Sequence, residues 1–322
     1  MPFEWLASSV CDAHAAGRAT AVTPLIVRLP NHLGDACMAL PALERLAALG
    51  HQLTLAGPSW TKDLFGAYPW PAVALSGSHY QRVHTLRPFA AQAGLLMTNS
   101  FSTALQFRLA GIRSVGYARD GRSWLLQRAI AVDANDHMVQ YYYRLASAVT
   151  GTESMAPLDF RLRVSEDAAE RARYAIGART KSANYVVLCP VAVGVHRGKM
   201  KAWQGFSRLC NELVQQGNVV VAMPGPGETA AVRSAAASAI VLPESDVGTF
   251  AAVLAGARLV VANDSGPAHV AAAVGSKLIA VFGVTEPEKT RPWSTRATIV
   301  GSGEGWPSYA DVRSAVATAL SA

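Results

Sequence analysis

Along most of the chain, short apolar runs rich in Val, Leu and Ile alternate with longer Ala- and Leu-rich stretches of helical spacing. The first half carries strand-like runs at 24-PLIVRL-29, 52-QLTLAG-57, 72-AVALSG-77 and 94-GLLMTN-99, with helices predicted around 36–49, 101–110 and 137–150. The stretch 151-GTESMAPLDFRLRVSED-167 breaks the rhythm: it is polar, holds Gly151 and Pro157, and reads as an inter-domain linker. The alternation then restarts, with strands at 185–191, 218–224, 239–243, 258–263, 277–283 and 296–302. Helices are predicted between and after them, over 203–216, 228–238, 247–256, 267–274 and 308–321. Strands that are apolar throughout are buried on both faces, as in a parallel sheet covered by helices. Two consecutive doubly wound α/β domains follow, 1–155 and 156–322, with the option that the last helix packs back on the N-terminal domain. In such sheets ligands bind beyond the carboxyl ends of the strands. Two such domains facing each other would enclose a cleft, and the loops leaving the strands are where its chemistry is expected.

Composition narrows the picture only a little. At 322 residues, 51% hydrophobic and 16% charged, the chain is that of a folded globular protein without a disordered tail. The net charge of +7 favours anionic partners such as phosphate, nucleic acid or anionic lipid, without choosing among them. Only six of the 29 basic residues are lysines. Arginine suits bidentate grips on phosphate or carboxylate, although a GC-rich genome inflates it too. No dense basic run or basic–aromatic interleaving is present, so no nucleic-acid partner is expected. Cys11, Cys37, Cys189 and Cys210 show no CxxC or zinc-like spacing and read as buried thiols of a reducing compartment. The N-terminus lacks the cationic region of a signal peptide, and no apolar run reaches the ~18 residues of a membrane span. The expectation is a cytoplasmic protein with at most a peripheral attachment to a membrane.

Three strand-end loops concentrate candidate chemistry. In 259-LVVANDSGPAHVAAAV-274, Pro267 suits the first helical position and Ser265 or Gly266 the N-cap. The helix amides and dipole then make an anion site, and Gly266 lets a phosphate approach the backbone. His269 lies in the first turn, where the dipole opposes an imidazolium by ~0.3–1 kcal/mol. It reads as a neutral donor or a cation rescued by bound phosphate; a capped helix with an incidental His is the bland alternative. In 25-LIVRLPNHLGDACMALPAL-43, Asp35 is either a helix N-cap or a carboxylate at a strand's carboxyl end, able to act as a general base. The third loop, 188-LCPVAVGVHRGKMKAWQGF-206, carries His196, Arg197, Lys199 and Lys201 beside Gly194 and Gly198: a phosphate grip, or a solvated basic loop. A fourth run, 225-GPGETA-230, fits the dinucleotide fingerprint, with Glu244 near the ribose-binding distance. It is the second strand–helix turn of its domain, however, and Pro226 is awkward there. No HExxH, GxSxG or Walker motif occurs, and Glu244-Ser245-Asp246 only imitates a DxD metal pair.

Together the loops resemble the ADP-heptose:lipopolysaccharide heptosyltransferases of glycosyltransferase family 9. The segments 28-RLPNHLGDACMALPAL-43, 198-GKMKAWQGF-206 and 263-NDSGPAHVAAAVGSKLIAVFGVTEPEKTRPW-293 carry the likeness, in the family's order and at about its spacing. The resemblance implies a GT-B fold, two Rossmann-like doubly wound domains facing an interdomain cleft, with acceptor on the first and nucleotide sugar on the second. It implies inverting, metal-independent transfer of a heptose from ADP-heptose to a lipopolysaccharide core acceptor, with no cofactor. Asp35 would be the catalytic base. Lys201 would neutralise the donor diphosphate, helped by Lys199, and Asp264, Ser265, Gly266 and His269 would form the donor-binding signature. Glu228 would hold the nucleoside. The loops 76–89 and 112–128 match no particular subfamily; Arg82, Arg87, Arg113, Arg119 and Arg122 there suit the phosphates or carboxylates of an anionic, lipid-linked oligosaccharide. A relative using another nucleotide sugar or a capsule or glycoprotein acceptor stays open, as does a non-catalytic nucleotide-sugar-binding module.

Overall fold

The computed structural model describes residues 23–180, 182, 184–192, 195–196 and 199–321, without the side chains of 195, 196, 199 and 200. Cys11, Gly194, Arg197, Gly198, the side chains of His196 and Lys199, and the N-terminal stretch read for a signal peptide lie outside the described residues. The chain divides into two compact units. The first runs to Pro157, except that His32–Cys37 and Asp63–Tyr68 group with the second, which continues from Leu158.

The first unit is built on six parallel strands: β1 (Thr23–Arg28), β2 (His51–Gly57), β3 (Ala72–Ala74), β4 (Ala93–Leu96), β5 (Arg113–Tyr117) and β6 (Arg128–Ile130). Their order is β3-β2-β1-β4-β5-β6. β5 and the first residue of β6 lie in the stretch 112–128 expected to be an acceptor loop, and 76–89 likewise holds a helix, His79–Leu86. That helix is started by a capping box, in which Ser78 and Gln81 satisfy each other's backbone amides. Its Val83 and Leu86 pack with Phe107 of the helix Phe101–Leu109 over Ile26 and Leu96, so one face of the sheet is sealed by two short helices.

The second unit repeats the plan. β7 (Tyr185–Cys189), β10 (Val219–Ala222), β11 (Ile240–Val241), β12 (Leu259–Asn263), β13 (Leu278–Val281) and β14 (Ala297–Val300) are all parallel, in the order β11-β10-β7-β12-β13-β14. Between β7 and β10, the basic loop folds into an antiparallel ribbon of β8 (Val195–His196) and β9 (Lys199–Met200). The following helix starts at Phe206 rather than Trp203. The linker is non-regular up to Ser165, which caps a helix, Glu166–Gly177, that sequence pattern did not reveal. The last helix, Tyr309–Ser321, belongs to this second core rather than returning to the first domain: Val312 and Val316 are buried with Val186 and Ile279. Its start is tied down by Tyr309 Oη donating to Glu212 Oε2 at 2.7 Å and Arg313 Nε donating to Oε1 at 2.5 Å. Trp203 stacks on Tyr309 at 6.1 Å and donates its indole N–H to the Pro307 carbonyl.

In both sheets the strand order reverses beside the first strand of the unit. This places a topological switch point between β1 and β4, and another between β7 and β12. Among the described residues no helix is long and apolar enough to cross a membrane.

Candidate active site

β12 is buried at every position and ends at Asn263, whose side chain has no exposed surface. Asn263 Oδ1 accepts the Trp203 amide at 2.9 Å and Nδ2 donates to the Pro190 carbonyl at 2.8 Å. One buried amide therefore ties the loops after β7 and β12 together and sets where Lys201 and Asp264 stand. Asp264 receives the Thr285 hydroxyl on Oδ2, and Lys201 Nζ lies 3.8 Å from the same oxygen. The Asp264 amide donates to Val281 at 3.0 Å, so the end of β13 fixes the carboxylate from the other side.

The helix Gly266–Ala273 starts immediately afterwards and is buried from Ala268 onward. Ser265 occupies its N-cap position but gives no side-chain cap: the hydroxyl turns back to the Asn263 carbonyl at 3.2 Å. Pro267 takes the second helical position rather than the first. His269 is 8% exposed, and its Nδ1 has no hydrogen-bond partner. Burial depresses its pKa; Asp264 and Asp35 pull the other way, and Lys201 adds to the depression. Burial wins, so the ring is neutral at pH 7.

Asp35 lies in the first turn of the helix Leu33–Ala48, at its third residue rather than at a cap. That turn groups with the second unit, and Gly34 shows why. A Cβ on Gly34 would lie 2.7 Å from His269 Cδ2 and 3.2 Å from Cγ, inside van der Waals contact. The glycine allows the backbone to pass against the imidazole and brings half-buried Asp35 within electrostatic reach of it. Asp35, Lys201, Asp264 and His269 thus converge from three separate stretches of sequence.

Glu228 stands at the end of the loop after β10, in the N-cap position of Thr229–Ala235, and accepts the Gly225 amide at 3.0 Å. Its charge reaches Cys189 at the end of β7 and, after burial, helps hold that thiol up at about 12. Cys37 and Cys210 are likewise buried free thiols raised chiefly by burial. The dinucleotide-like loop is closed by its own chain: Glu244 Oε1 accepts the Gly227 amide at 3.1 Å and the Thr229 hydroxyl at 2.7 Å. Asp246 is a helix cap, accepting the Thr249 amide at 2.9 Å, and not half of a metal pair. Among the described residues no group of three or more His, Cys, Asp or Glu is placed to hold a metal ion.

The arginines expected to read an acceptor separate by position. Arg113 opens β5 and so sits at the amino edge of the first sheet, away from the ligand-binding edge. Arg119 and Arg122 flank a tight turn whose central Asp120 and Gly121 both have positive φ, the backbone that Asp-Gly favours. Arg119 is exposed at its start. Arg122 has no exposed surface and donates to the carbonyls of Tyr117 at 3.0 Å and Thr98 at 2.5 Å. It braces the ends of β4 and β5 instead of presenting a charge to a ligand. Arg87 is exposed and Arg82 half-buried on the helix His79–Leu86 and its extension. Asn263 and Thr285 were not anticipated; the first adjoins the DSG signature and the second sits in the FGVT turn, so adjacency was the only signal.

Comparison with known proteins agrees with this geometry. The family model described as "Glycosyltransferase family 9 (heptosyltransferase)" matches residues 80–316. Lipopolysaccharide heptosyltransferase 2 of Escherichia coli K12 is 25% identical over 309 residues, covering 86% of this chain and 87% of the relative. The solved structure of E. coli ADP-heptose lipopolysaccharide heptosyltransferase II superposes with a TM-score of 0.77 at 23% identity, over 92% of this chain and 98% of that one. E. coli heptosyltransferase WaaC with ADP gives 0.73 at 18%, over 92% and 100%. The likeness establishes the α/β fold as GT-B. With the family model spanning most of its length, the chain belongs to glycosyltransferase family 9, the heptosyltransferases, and is a glycosyltransferase.

Proposed function

We propose that this enzyme transfers a heptose from ADP-heptose to a lipopolysaccharide core acceptor, with inversion and without a metal or cofactor. The observation that carries this reading is the convergence of Asp35 with Lys201, Asp264 and neutral His269 at the switch point of the second sheet. The acceptor hydroxyl oxygen attacks the anomeric carbon as its bond to the diphosphate oxygen breaks, and the hydroxyl proton passes to the Asp35 carboxylate. ADP departs with the bonding pair. Lys201, the amides of the helix beginning at Gly266 and the His269 ring stabilise the charge building on the diphosphate. Lys199, in the ribbon just before Lys201, assists it, Asp264 and Ser265 orient the sugar end, and Glu228 holds the nucleoside. Arg87 and Arg119 offer exposed charge to an anionic, lipid-linked acceptor at the cytoplasmic face of the inner membrane.

Calorimetric titration with ADP, GDP, UDP and NAD tests the donor. Selective ADP binding is expected, weakened about 10–100-fold in Lys201→Ala by loss of a charged contact. Preference for GDP or UDP would keep the site and remove the heptose assignment; NAD alone would point to the glycines after β10. Asp35→Ala should lower turnover by ~10²–10⁴ while leaving ADP affinity nearly unchanged. Undiminished turnover would remove Asp35 as the base.

A further inference from the structure

β1 is apolar from Pro24 to Val27 and ends at Arg28, which is only 5% exposed. Side chains alternate along a strand, so Arg28 leaves the sheet on the same face as Ile26. That face is covered by the helix His79–Leu86, whose Val83 packs in the same cluster as Ile26 and whose Arg82 precedes it. Arg28 donates to its neighbour's carbonyl at Leu29 and, through Nη2, to Asn31 Oδ1 at 2.6 Å. Its Nε is buried without a partner, and so is the Nε of Arg82. Among the described residues no carboxylate pairs with either guanidinium. Burial, and then the charge of Arg82, push the Arg28 pKa down to about 10, and no acid offsets them.

A buried guanidinium beside a second, half-buried one, each with an unused donor, destabilises the protein unless something anionic joins them. A pair of planar guanidinium forks matches a carboxylate or phosphate. The pair also lies where the first sheet reverses its strand order, at the carboxyl end of β1 beside β4. We propose that Arg28 and Arg82 form an oxyanion subsite that grips a carboxylate or phosphate of the glycolipid acceptor, with Asn31 steadying Arg28. This assignment rests on the reading of the chain as a transferase with an anionic acceptor. The same short segment, 28–35, then carries the acceptor's anchor at one end and Asp35 at the other.

The test uses the full chain and heptose-free lipopolysaccharide in detergent micelles as the probe. Because Arg28 is buried and its replacement threatens folding, Arg82→Gln carries the experiment. Glycolipid affinity should fall at least about tenfold, as for loss of a charged contact, with ADP affinity unchanged and partial recovery in Arg82→Lys. The thermal midpoint should hold or rise, since a repulsion is removed; a purely structural arginine would lower it. Enzymatic dephosphorylation and carboxyl amidation of the probe separate the two sources. The modification that weakens binding to wild type without further weakening Arg82→Gln names the group held. Equal glycolipid affinity in wild type and Arg82→Gln overturns the subsite, as does insensitivity of that difference to both modifications. Failure of ADP binding or heptose transfer with the Arg82 effect intact would instead strike the proposed reaction.

Discussion

At the scale of single residues, the candidate site is constrained by the close approach of Gly34 to His269. Replacing Gly34 with Ala adds a methyl 2.7 Å from the ring. The backbone there is ordinary helix, so Ala would gain up to ~1 kcal/mol of helix propensity. The clash is expected to cost about 1–3 kcal/mol and to be relieved by rotating the imidazole out of place. The two effects partly offset, leaving a net loss of about 0–2 kcal/mol of stability, whereas only the second bears on the donor. Gly34→Ala should therefore lower its urea midpoint only modestly while ADP affinity falls roughly 5–160-fold, as that strain converts; calorimetry reads the affinity, and unchanged ADP binding would show that the ring position is unimportant. Asp35, Lys201, Asp264 and His269 stood out as candidates in sequence because polar side chains in the loops and helix starts that follow apolar strands are conspicuous, and the family-like motifs singled them out. Arg122 misled for the same reason: a charge in a turn reads as surface, and only the carbonyls of Tyr117 and Thr98 reveal it as a brace.

At the scale of elements, the site depends on strand ends being tied to one another. The Thr285 hydroxyl joins the turn after β13 to Asp264 after β12, and nothing in the local pattern of either strand requires it. Thr285→Val keeps the shape and removes the donor. A hydrogen bond to a charged group contributes ~1.5–3 kcal/mol, so urea denaturation should show a loss of that order together with weaker donor binding; a wild-type midpoint would mean that water replaces the hydroxyl. The long apolar strands were easily read, since burial on both faces leaves continuous hydrophobic runs. The helix His79–Leu86 and the strand Arg113–Tyr117 were not. One is polar apart from Val83 and Leu86, and the other is five residues interrupted by Ser114 and Gly116, so tertiary packing decides both.

For the whole molecule, both units share one strand order yet bury different ionisable groups. Burial lowers the pKa of His51 in the first unit, against a smaller opposing contribution from a Thr23 hydrogen bond, and lowers that of His269 in the second. The unfolded chain therefore takes up these protons first, from about pH 6.5 downward. Stability is full above that value and declines as pH falls towards the folded-state values, by at most about 2.7 kcal/mol per pH unit while both titrate. Urea unfolding at steps between pH 8 and 5 should show this slope, and a flat profile would mean that neither ring is held neutral. The grouping of 32–37 with the second unit was invisible in sequence, because it depends on where a glycine meets an imidazole rather than on pattern. The buried thiols carry a different consequence. Only a thiolate that solvent can reach is alkylated, so Cys37, Cys189 and Cys210 each record a local opening rather than surface chemistry. Cys37 follows the turn that carries Asp35, Cys189 ends β7 within reach of the Glu228 charge, and Cys210 sits in the core with the last helix. The three labelling rates act as separate clocks on three parts of the machine, already installed in the native sequence.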